Sequence, residues 1–122
     1  MPATDLFEVL DRKAGFRRSM SVFFRSTDVI MTPSAAALPW PKAESHPPRI
    51  AGRAVGLRGH AVFTAWVNVA GLPGLALPCS PSTSGLPIGF QLVAAQGNDA
   101  DLLSLGLQYE EAYPWAHRWP VI

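Results

Sequence analysis

Two short apolar runs separated by a turn-forming segment constrain the fold more than any other feature. The first run, residues 75–78, reads LALP, and the second, residues 88–93, reads IGFQLV. The residues between them, 79–85, are small, polar or turn-forming. Runs of this kind joined by a Gly/Pro/Ser-rich loop are typical of adjacent β-strands. The loop is longer than a two-residue hairpin turn, so the turn does not fix the register.

Helical patterns stand on both sides of these runs. Residues 5–25 predict an amphipathic helix that begins at Asp5, with Glu8 completing a capping box. Its stripe follows intervals of three and four residues: Leu6, Val9, Lys13, Phe16, Met20 and Phe23. A second helix is predicted after Asn98, a good N-cap, and Pro114 is expected to end it. Gly106 on this helix is expected to allow close approach of another element.

The middle of the chain is less regular. Residues 28–32 predict a buried strand that Pro33 ends. Residues 34–60 form a long Pro/Gly-rich loop, a length that in compact domains is usually functional or mobile. Residues 61–69 fit either a short helix or a strand, and periodicity does not decide between them. Since strands on both sides of the loop fit one sheet, we treat residues 1–122 as a single domain or part of one.

Composition limits the classes of function. Hydrophobic residues make up 48% of the 122 residues and charged residues 16%, below the usual share of about 25%. The core is therefore large for the length, or apolar surface is left for a partner. A net charge of +1 gives no basis for nucleic-acid binding. The one basic cluster, at residues 12–18, is expected to be a solvated helix face.

The expected location is the cytoplasm. Cys79 is the only cysteine, so no internal disulfide can form. Residues 1–8 lack the basic and apolar regions of a signal peptide. The apolar stretch at residues 61–78 is interrupted by Asn68, Pro73 and glycines, so no membrane span is expected.

Four segments together resemble the amidase-signature family. They are FRSTDVIMTP at residues 24–33, NVAGLPG at 68–74, GLPIGFQL at 85–92, and the final helix with its exit toward Trp115. They occur in the family's order and approximate spacing, and the match is strongest over residues 23–119. The resemblance implies an α/β fold in which this chain forms the C-terminal part of a mixed β-sheet flanked by helices.

The family's activity is hydrolysis of an amide C–N bond by a serine nucleophile in a Ser–cis-Ser–Lys triad. The serine needs a base, and a desolvated lysine can supply it. In the family these groups lie upstream of the matched region. This chain has two lysines, Lys13 and Lys42, and neither has the family's context. The Ser/Thr-rich turn at 82–85 lies between two strands and is not expected to hold a nucleophile. No catalytic residue is therefore assigned, and the chain alone is expected to be inactive.

Four residues are candidates for substrate binding: Thr32, Phe63, Trp66 and Asn68. Thr32 ends a strand, where ligand crevices of α/β proteins often form. Phe63 and Trp66, together with Trp40, could wall an acyl pocket, and Asn68 could line the cleft; packing and turn roles remain open for all of them. In the tRNA-dependent amidotransferase A subunits an acidic residue precedes the NVAG-like segment. Here Ala61 stands at that position, which favours an apolar or aromatic amide over glutamine.

Other chemistries have weaker support. Cys79 with His46 or His60 lacks the spacing of a thiol enzyme, and three scattered histidines predict no metal site. No cofactor motif is present. The expected partners are an N-terminal amidase portion or a second copy that covers the apolar surface. The alternatives are a non-catalytic homo-oligomeric module and part of a glutamine amidotransferase A subunit.

Overall fold

A sheet of three antiparallel strands organises the molecule. The structure, a computed structural model, describes residues 2–118. Its helices are α1 (Ala3–Phe23), α2 (Ala65–Ala70) and α3 (Asp99–Ala112), and its strands are β1 (Val29–Pro33), β2 (Arg49–Ile50), β3 (Arg53–Ala54), β4 (Gly74–Pro78) and β5 (Gly89–Ala94). Single turns of 3₁₀ helix occur at Gly59–Ala61 and Ala116–Arg118. Strands and helices together confirm the predicted α/β class.

Strand β5 lies at the centre of the sheet, in the order β1-β5-β4. It pairs with β4 through Leu77↔Phe90 and with β1 through Thr32↔Gln91. The two runs identified in the sequence are therefore neighbouring strands, as predicted. The central position explains the composition of β5, because residues 91–94 are all buried. Strands β1 and β4 are the edges of this sheet within the part of the chain described.

One face of the sheet packs against α3. Leu77, Leu92, Ala94 and Leu102 form the buried cluster on this face. Tyr109 extends the contact, since its hydroxyl donates a hydrogen bond to the Pro78 carbonyl at 2.8 Å. Gly106 is buried where α3 crosses β4, and a Cβ there would lie 2.6 Å from Leu75 Cδ2. This contact confirms the close approach predicted at Gly106.

The other face of the sheet packs against α2. Val67 is buried, and its Cγ1 would lie 3.4 Å from a Cβ on Gly74 of β4. Val93, which lies on β5 two residues after Gln91, is fully buried. Residues 65–70 are thus helical, which decides between the two structures that the sequence left open. Helix α1 in turn contacts α2, and the Arg17 Nε donates a hydrogen bond to the Val69 carbonyl at 3.1 Å.

Two local predictions are wrong. Helix α1 begins at Ala3 rather than Asp5, with Pro2 at the N-cap and no side-chain cap. Proline suits a helix start because its missing N–H would have had no partner there. Strand β1 is not buried throughout as expected, because the Met31 side chain is 70% exposed. Met31 pairs with Leu92 on the α3 side, but the main contacts of α3 are with β4 and β5. On this face of β1, Val29 packs against the buried cluster and Met31 does not.

The segment between β1 and α2 is irregular apart from β2, β3 and one 3₁₀ turn. Strands β2 and β3 form a hairpin with the pairs Arg49↔Ala54 and Ile50↔Arg53. Ala51 and Gly52 form its turn, both with positive φ, as a type I′ turn requires. No helix among residues 2–118 is both long enough and apolar enough to cross a membrane.

The end of α2 supplies a first testable prediction. Gly71 is left-handed (φ 72°), and a Cβ there would lie 3.1 Å from Arg17 Nη2. We expect Gly71→Ala to lower the free energy of unfolding by about 1 kcal/mol, because an L side chain strains this conformation. Gly15→Ala in α1, where the new methyl group would come no nearer than 3.8 Å to Arg18 Nη2, should raise it by roughly 0.5–1 kcal/mol through helix propensity. Urea unfolding of both variants checks the pair, and two changes of the same sign would contradict it.

Candidate functional site

A cleft of about 470 Å³ opens at the end of the sheet where β1 ends and β5 begins. Its walls come from three segments: residues 33–40, Phe63, and residues 87–89. The backbone N–H of Ser34 donates a hydrogen bond to the Gly89 carbonyl at 3.1 Å, which continues the β1–β5 pairing into the wall. The position of the cleft is thus set by the sheet, although most of its lining belongs to the irregular segment.

Gln91 holds the cleft's elements together. Its side chain is buried, and its Nε2 donates to Thr32 Oγ1 at 3.0 Å and to the Phe63 carbonyl. The amide therefore joins β5, the end of β1 and the segment before α2. A buried amide whose donor has two partners is typical of an ordered polar network in a core. Gln91 fixes Phe63 relative to the sheet and thus fixes one wall of the cleft.

Trp40 also lines the cleft. The Trp40 Nε1 donates a hydrogen bond to the Glu44 carbonyl at 3.0 Å, and its ring lies 5.0 Å from the His60 ring, centroid to centroid. The Ala36 N–H also donates to the His60 carbonyl at 2.9 Å. The His60 Nδ1 is buried and has no hydrogen-bond partner among residues 2–118. These contacts hold the 34–44 segment in place beside His60, so the indole faces the cleft from a fixed position.

The lining of the cleft is apolar. Alanine, leucine, proline, tryptophan, phenylalanine and isoleucine side chains dominate it, and Ser34 carries the only hydroxyl among the described residues that line it. None of those lining residues has a charged side chain. A site of this kind suits an uncharged group that gains by leaving water, with few polar contacts to orient it. It is poorly suited to a zwitterion, whose charges would lose hydration without a counter-charge.

The structure brings two of the four predicted binding residues to this region. Phe63 lines the cleft, and Thr32 lies just behind Pro33 and accepts the Gln91 hydrogen bond. Trp66 and Asn68 lie on α2 and are not among the lining residues; Trp66 is half-buried and Asn68 is exposed. A role for these four residues in substrate binding remains a prediction. Trp40, considered beside Phe63 and Trp66, does line the cleft.

Sequence reasoning missed Gln91, although a signal was present. It is the one amide side chain in a run that is otherwise apolar or glycine, IGFQLV. A buried polar group requires hydrogen-bond partners. A glutamine at a buried position of a central strand therefore indicates a tie to a neighbouring element. Its partners are far away in sequence, at residues 32 and 63, and only the fold identifies them.

The hydroxyl and backbone groups of the Ser/Thr-rich turn form hydrogen bonds within the turn itself. Ser82 Oγ and Ser84 Oγ lie 2.9 Å apart, and the Leu86 N–H donates to Ser82 Oγ at 3.0 Å. The Ser82 N–H in turn donates to the Leu86 carbonyl at 2.9 Å. These bonds close the loop between β4 and β5. Lys13 and Lys42 are both exposed, and neither makes a side-chain hydrogen bond to a serine among the residues described.

A second cavity of about 460 Å³ lies behind the same wall. It shares Pro87 and Ile88 with the cleft and is otherwise lined by residues around Cys79, Trp115 and Arg118. The Arg118 Nη1 donates to the Cys79 carbonyl at 3.0 Å. No cluster of three potential metal ligands occurs within residues 2–118. Trp119, the last residue of the range over which the family resemblance is strongest, lies outside the described residues.

Comparisons with known proteins agree with this architecture. The model of the amidase family matches residues 3–103. AmiC of Mycobacterium leprae, which carries the name of an amidase, is 37% identical over 101 residues, covering 82% of this chain and 21% of AmiC. The A subunit of the glutamyl-tRNA(Gln) amidotransferase of a Synechococcus strain is 38% identical over 96 residues, covering 79% of this chain and 18% of its own length.

A solved structure of a hydrolase also matches the fold of this chain. The 6-aminohexanoate cyclic dimer hydrolase superposes with a TM-score of 0.85 at 26% identity, over 98% of this chain and 26% of the hydrolase. The chain thus spans about a fifth of the length of the curated relatives it matches. Sequence and structure together show that the chain belongs to the amidase family of hydrolases.

Proposed function

We propose that this chain forms the C-terminal, substrate-binding part of an enzyme that hydrolyses the C–N bond of an apolar or aromatic amide. The observation that carries the proposal is the apolar cleft lined by Trp40 and Phe63, tied to the central strand by the hydrogen bond from Gln91 to the Phe63 carbonyl. In this proposal the cleft receives the hydrophobic part of the substrate. The nucleophile and base come from a further amidase portion, and the 122 residues alone do not turn over substrate.

The positions of the titratable groups support the catalytic part of the proposal. Serine needs a nearby base to become a nucleophile, and in this family's mechanism the base is lysine. Lys13 is exposed on α1, and Lys42 is exposed in the irregular segment. Neither lysine therefore has the desolvated position beside a serine that the mechanism requires. The serines at 82 and 84 are already engaged in closing their loop.

The chemistry of the cleft supports the substrate class. Glutamine carries an ammonium and a carboxylate, and binding it requires side chains of opposite charge. The described residues that line the cleft supply none. Ala61, where the amidotransferase A subunits are expected to place an acidic residue, is half-buried in the 3₁₀ turn and offers only a methyl group. Apolar acyl or aryl groups instead gain free energy from the area they remove from water.

Activity measurements test the catalytic half of the proposal. Both the 122-residue chain and the longest product of the reading frame that contains it are assayed with an aryl amide, an aliphatic apolar amide and glutamine. We expect no release of amine or ammonia from the 122 residues and turnover of the apolar amides by a longer product. Clear turnover by the purified 122-residue chain, or a preference for glutamine, would contradict the proposal.

Binding measurements test the cleft itself. We expect Phe63→Ala to raise the Kd for an aryl amide about tenfold, since removing the ring forfeits roughly 1.4 kcal/mol of buried apolar contact. Val62→Ala is the matched control, because Val62 is the preceding residue, is 57% exposed and does not line the cleft. Titration calorimetry gives both constants. Equal affinities for the two variants would remove the cleft from the proposal.

A part in a glutamine amidotransferase is the second candidate function. It is favoured by the similarity to the A subunit of that enzyme, which is 38% identical to this chain, against 37% for AmiC. Ammonia release from glutamine by an assembled complex containing this chain is the outcome that would select it. Comparing the glutamine and aryl-amide rates of one preparation distinguishes the two candidates directly.

A further inference from the structure

The one hydroxyl among the described residues that line the cleft is positioned by the sheet. Ser34 directly follows β1, and its backbone N–H donates a hydrogen bond to the carbonyl of Gly89, the first residue of β5, at 3.1 Å. Its side chain lies against the same residue, because a Cβ built on Gly89 would be 3.0 Å from Ser34 Oγ. Both residues line the cleft. The hydroxyl therefore lies in the cleft wall, beside the backbone of the central strand.

Gly89 leaves the space that this hydroxyl occupies. The φ angle of Gly89 is not positive, so the backbone conformation does not require glycine there. The crowding does, because a Cβ would also lie 3.1 Å from the Leu77 carbonyl oxygen, whereas nonbonded carbon atoms prefer about 3.5–4.0 Å. That carbonyl belongs to the backbone of β4, which is paired with β5. A side chain at residue 89 would therefore displace the Ser34 hydroxyl rather than the strand.

The Ser34 hydroxyl is available to a ligand. The neighbouring Thr32 Oγ1 already accepts a hydrogen bond from Gln91. The Nε1 of Trp40, which also lines the cleft, already donates to the Glu44 carbonyl. By contrast, Ser34 is engaged within residues 2–118 through its backbone N–H and not through its hydroxyl. A hydroxyl has one donor and two acceptor positions, so it can pair with either the C=O or the N–H of an amide.

We propose that Ser34 is a specificity-determining residue whose hydroxyl forms a hydrogen bond with the amide group of the substrate, and that Gly89 leaves the space for this contact. The inference rests on the proposed function, because it takes the cleft as the substrate's site. The apolar lining alone would accept any apolar group of suitable size. A polar atom in such a lining selects against a ligand that leaves it unpaired. Ser34 would thus distinguish an amide from a hydrocarbon of the same shape.

Two ligands of the same shape test this role by titration calorimetry on the 122-residue chain. Acetanilide carries the amide, and methallylbenzene has carbon atoms in place of its nitrogen and oxygen. We expect Ser34→Ala to raise the Kd for acetanilide about threefold to tenfold, the value of one hydrogen bond, and to leave the Kd for methallylbenzene unchanged. Ser34→Thr keeps the hydroxyl and should retain the preference for acetanilide.

Ser104→Ala is the matched control, because it makes the same chemical change at an exposed position of α3. Neither Kd should change in this variant. Equal shifts for both ligands in Ser34→Ala, or no shift for acetanilide, would overturn the role of Ser34 and leave the proposed cleft standing. If the parent chain binds neither ligand, the cleft itself is wrong, and the inference fails with the proposed function.

Gly89→Ala tests the space beside the hydroxyl independently. We expect the preference for acetanilide over methallylbenzene to fall by the same factor as in Ser34→Ala, and the double variant to lose no more, because both changes remove one hydrogen bond. Gly56→Ala is the control, since a Cβ there would meet no atom within 4 Å. Circular dichroism establishes that each variant is folded. A folded Gly89→Ala chain with an unchanged preference, or additive losses in the double variant, would overturn the role of Gly89.

Discussion

Replacing Leu102 by alanine is expected to lower the free energy of unfolding by about 3 kcal/mol. Leu102 is 3% exposed and lies in the cluster that joins α3 to Leu77 and Leu92 of the sheet. The substitution removes buried methyl groups and leaves a cavity that the surrounding side chains fill only in part. Among residues 2–118, α3 is the helix that packs on this face of the sheet. The substitution therefore weakens the packing between α3 and the sheet, which encloses the core.

Leu103→Ala is the matched control for this prediction. It makes the same chemical change one residue later on α3, where the side chain is 59% exposed. We expect a change within about 0.5 kcal/mol, as for most surface substitutions. Urea unfolding of the parent and both variants gives the comparison, with a shifted midpoint and an unchanged slope for Leu102→Ala. If the two variants are equally stable, α3 is not what closes this core.

The second large effect is expected at Gln91. Gln91→Leu keeps the approximate size of the side chain but removes the donor that serves Thr32 and the Phe63 carbonyl. A buried carbonyl left without a donor costs roughly 1–3 kcal/mol, so we expect a loss of about 2 kcal/mol in unfolding free energy. Because the Phe63 wall is no longer tied to β5, affinity for an aryl amide should fall as well.

Gln96→Leu serves as the control for Gln91→Leu. Gln96 is exposed just after β5, in the turn that leads to α3, and the same replacement there should change neither stability nor amide binding. Urea unfolding and titration calorimetry on the same preparations measure both properties. A Gln91 variant as stable as the parent would mean that water replaces the amide at its two partners. Reduced stability with unchanged amide affinity would instead separate the core role of Gln91 from the cleft.

The strands of the sheet could be predicted from local sequence because their signals are local. The LALP and IGFQLV runs carry their own apolar content and are bounded by turn residues, and they do become β4 and β5. The bounds of α3 were equally accessible from Asn98 and Pro114. The exposure of Met31 could not be predicted from local sequence, because it depends on which strands α3 covers. The sequence of a strand does not indicate which helix packs against its face.

The cleft was harder to predict than the fold for the same reason. The aromatic character of Phe63 made it a candidate, and it lines the cleft. Most of the other lining residues come from the irregular segment at 34–40, whose path no periodicity determines. Gln91 acts through atoms of Thr32 and Phe63, 59 and 28 residues away in sequence. Contacts over such separations become visible only when the strands have been placed side by side.

The three-strand order has a further consequence for β1 and β4. Only β5 has neighbours on both sides, so each outer strand presents backbone N–H and C=O groups without strand partners in the described part of the chain. Such groups pair with water or with any extended segment that approaches in register. The arrangement that buries β5 therefore gives an extended peptide two places to join the sheet. The same edges make a concentrated sample prone to aggregate strand against strand.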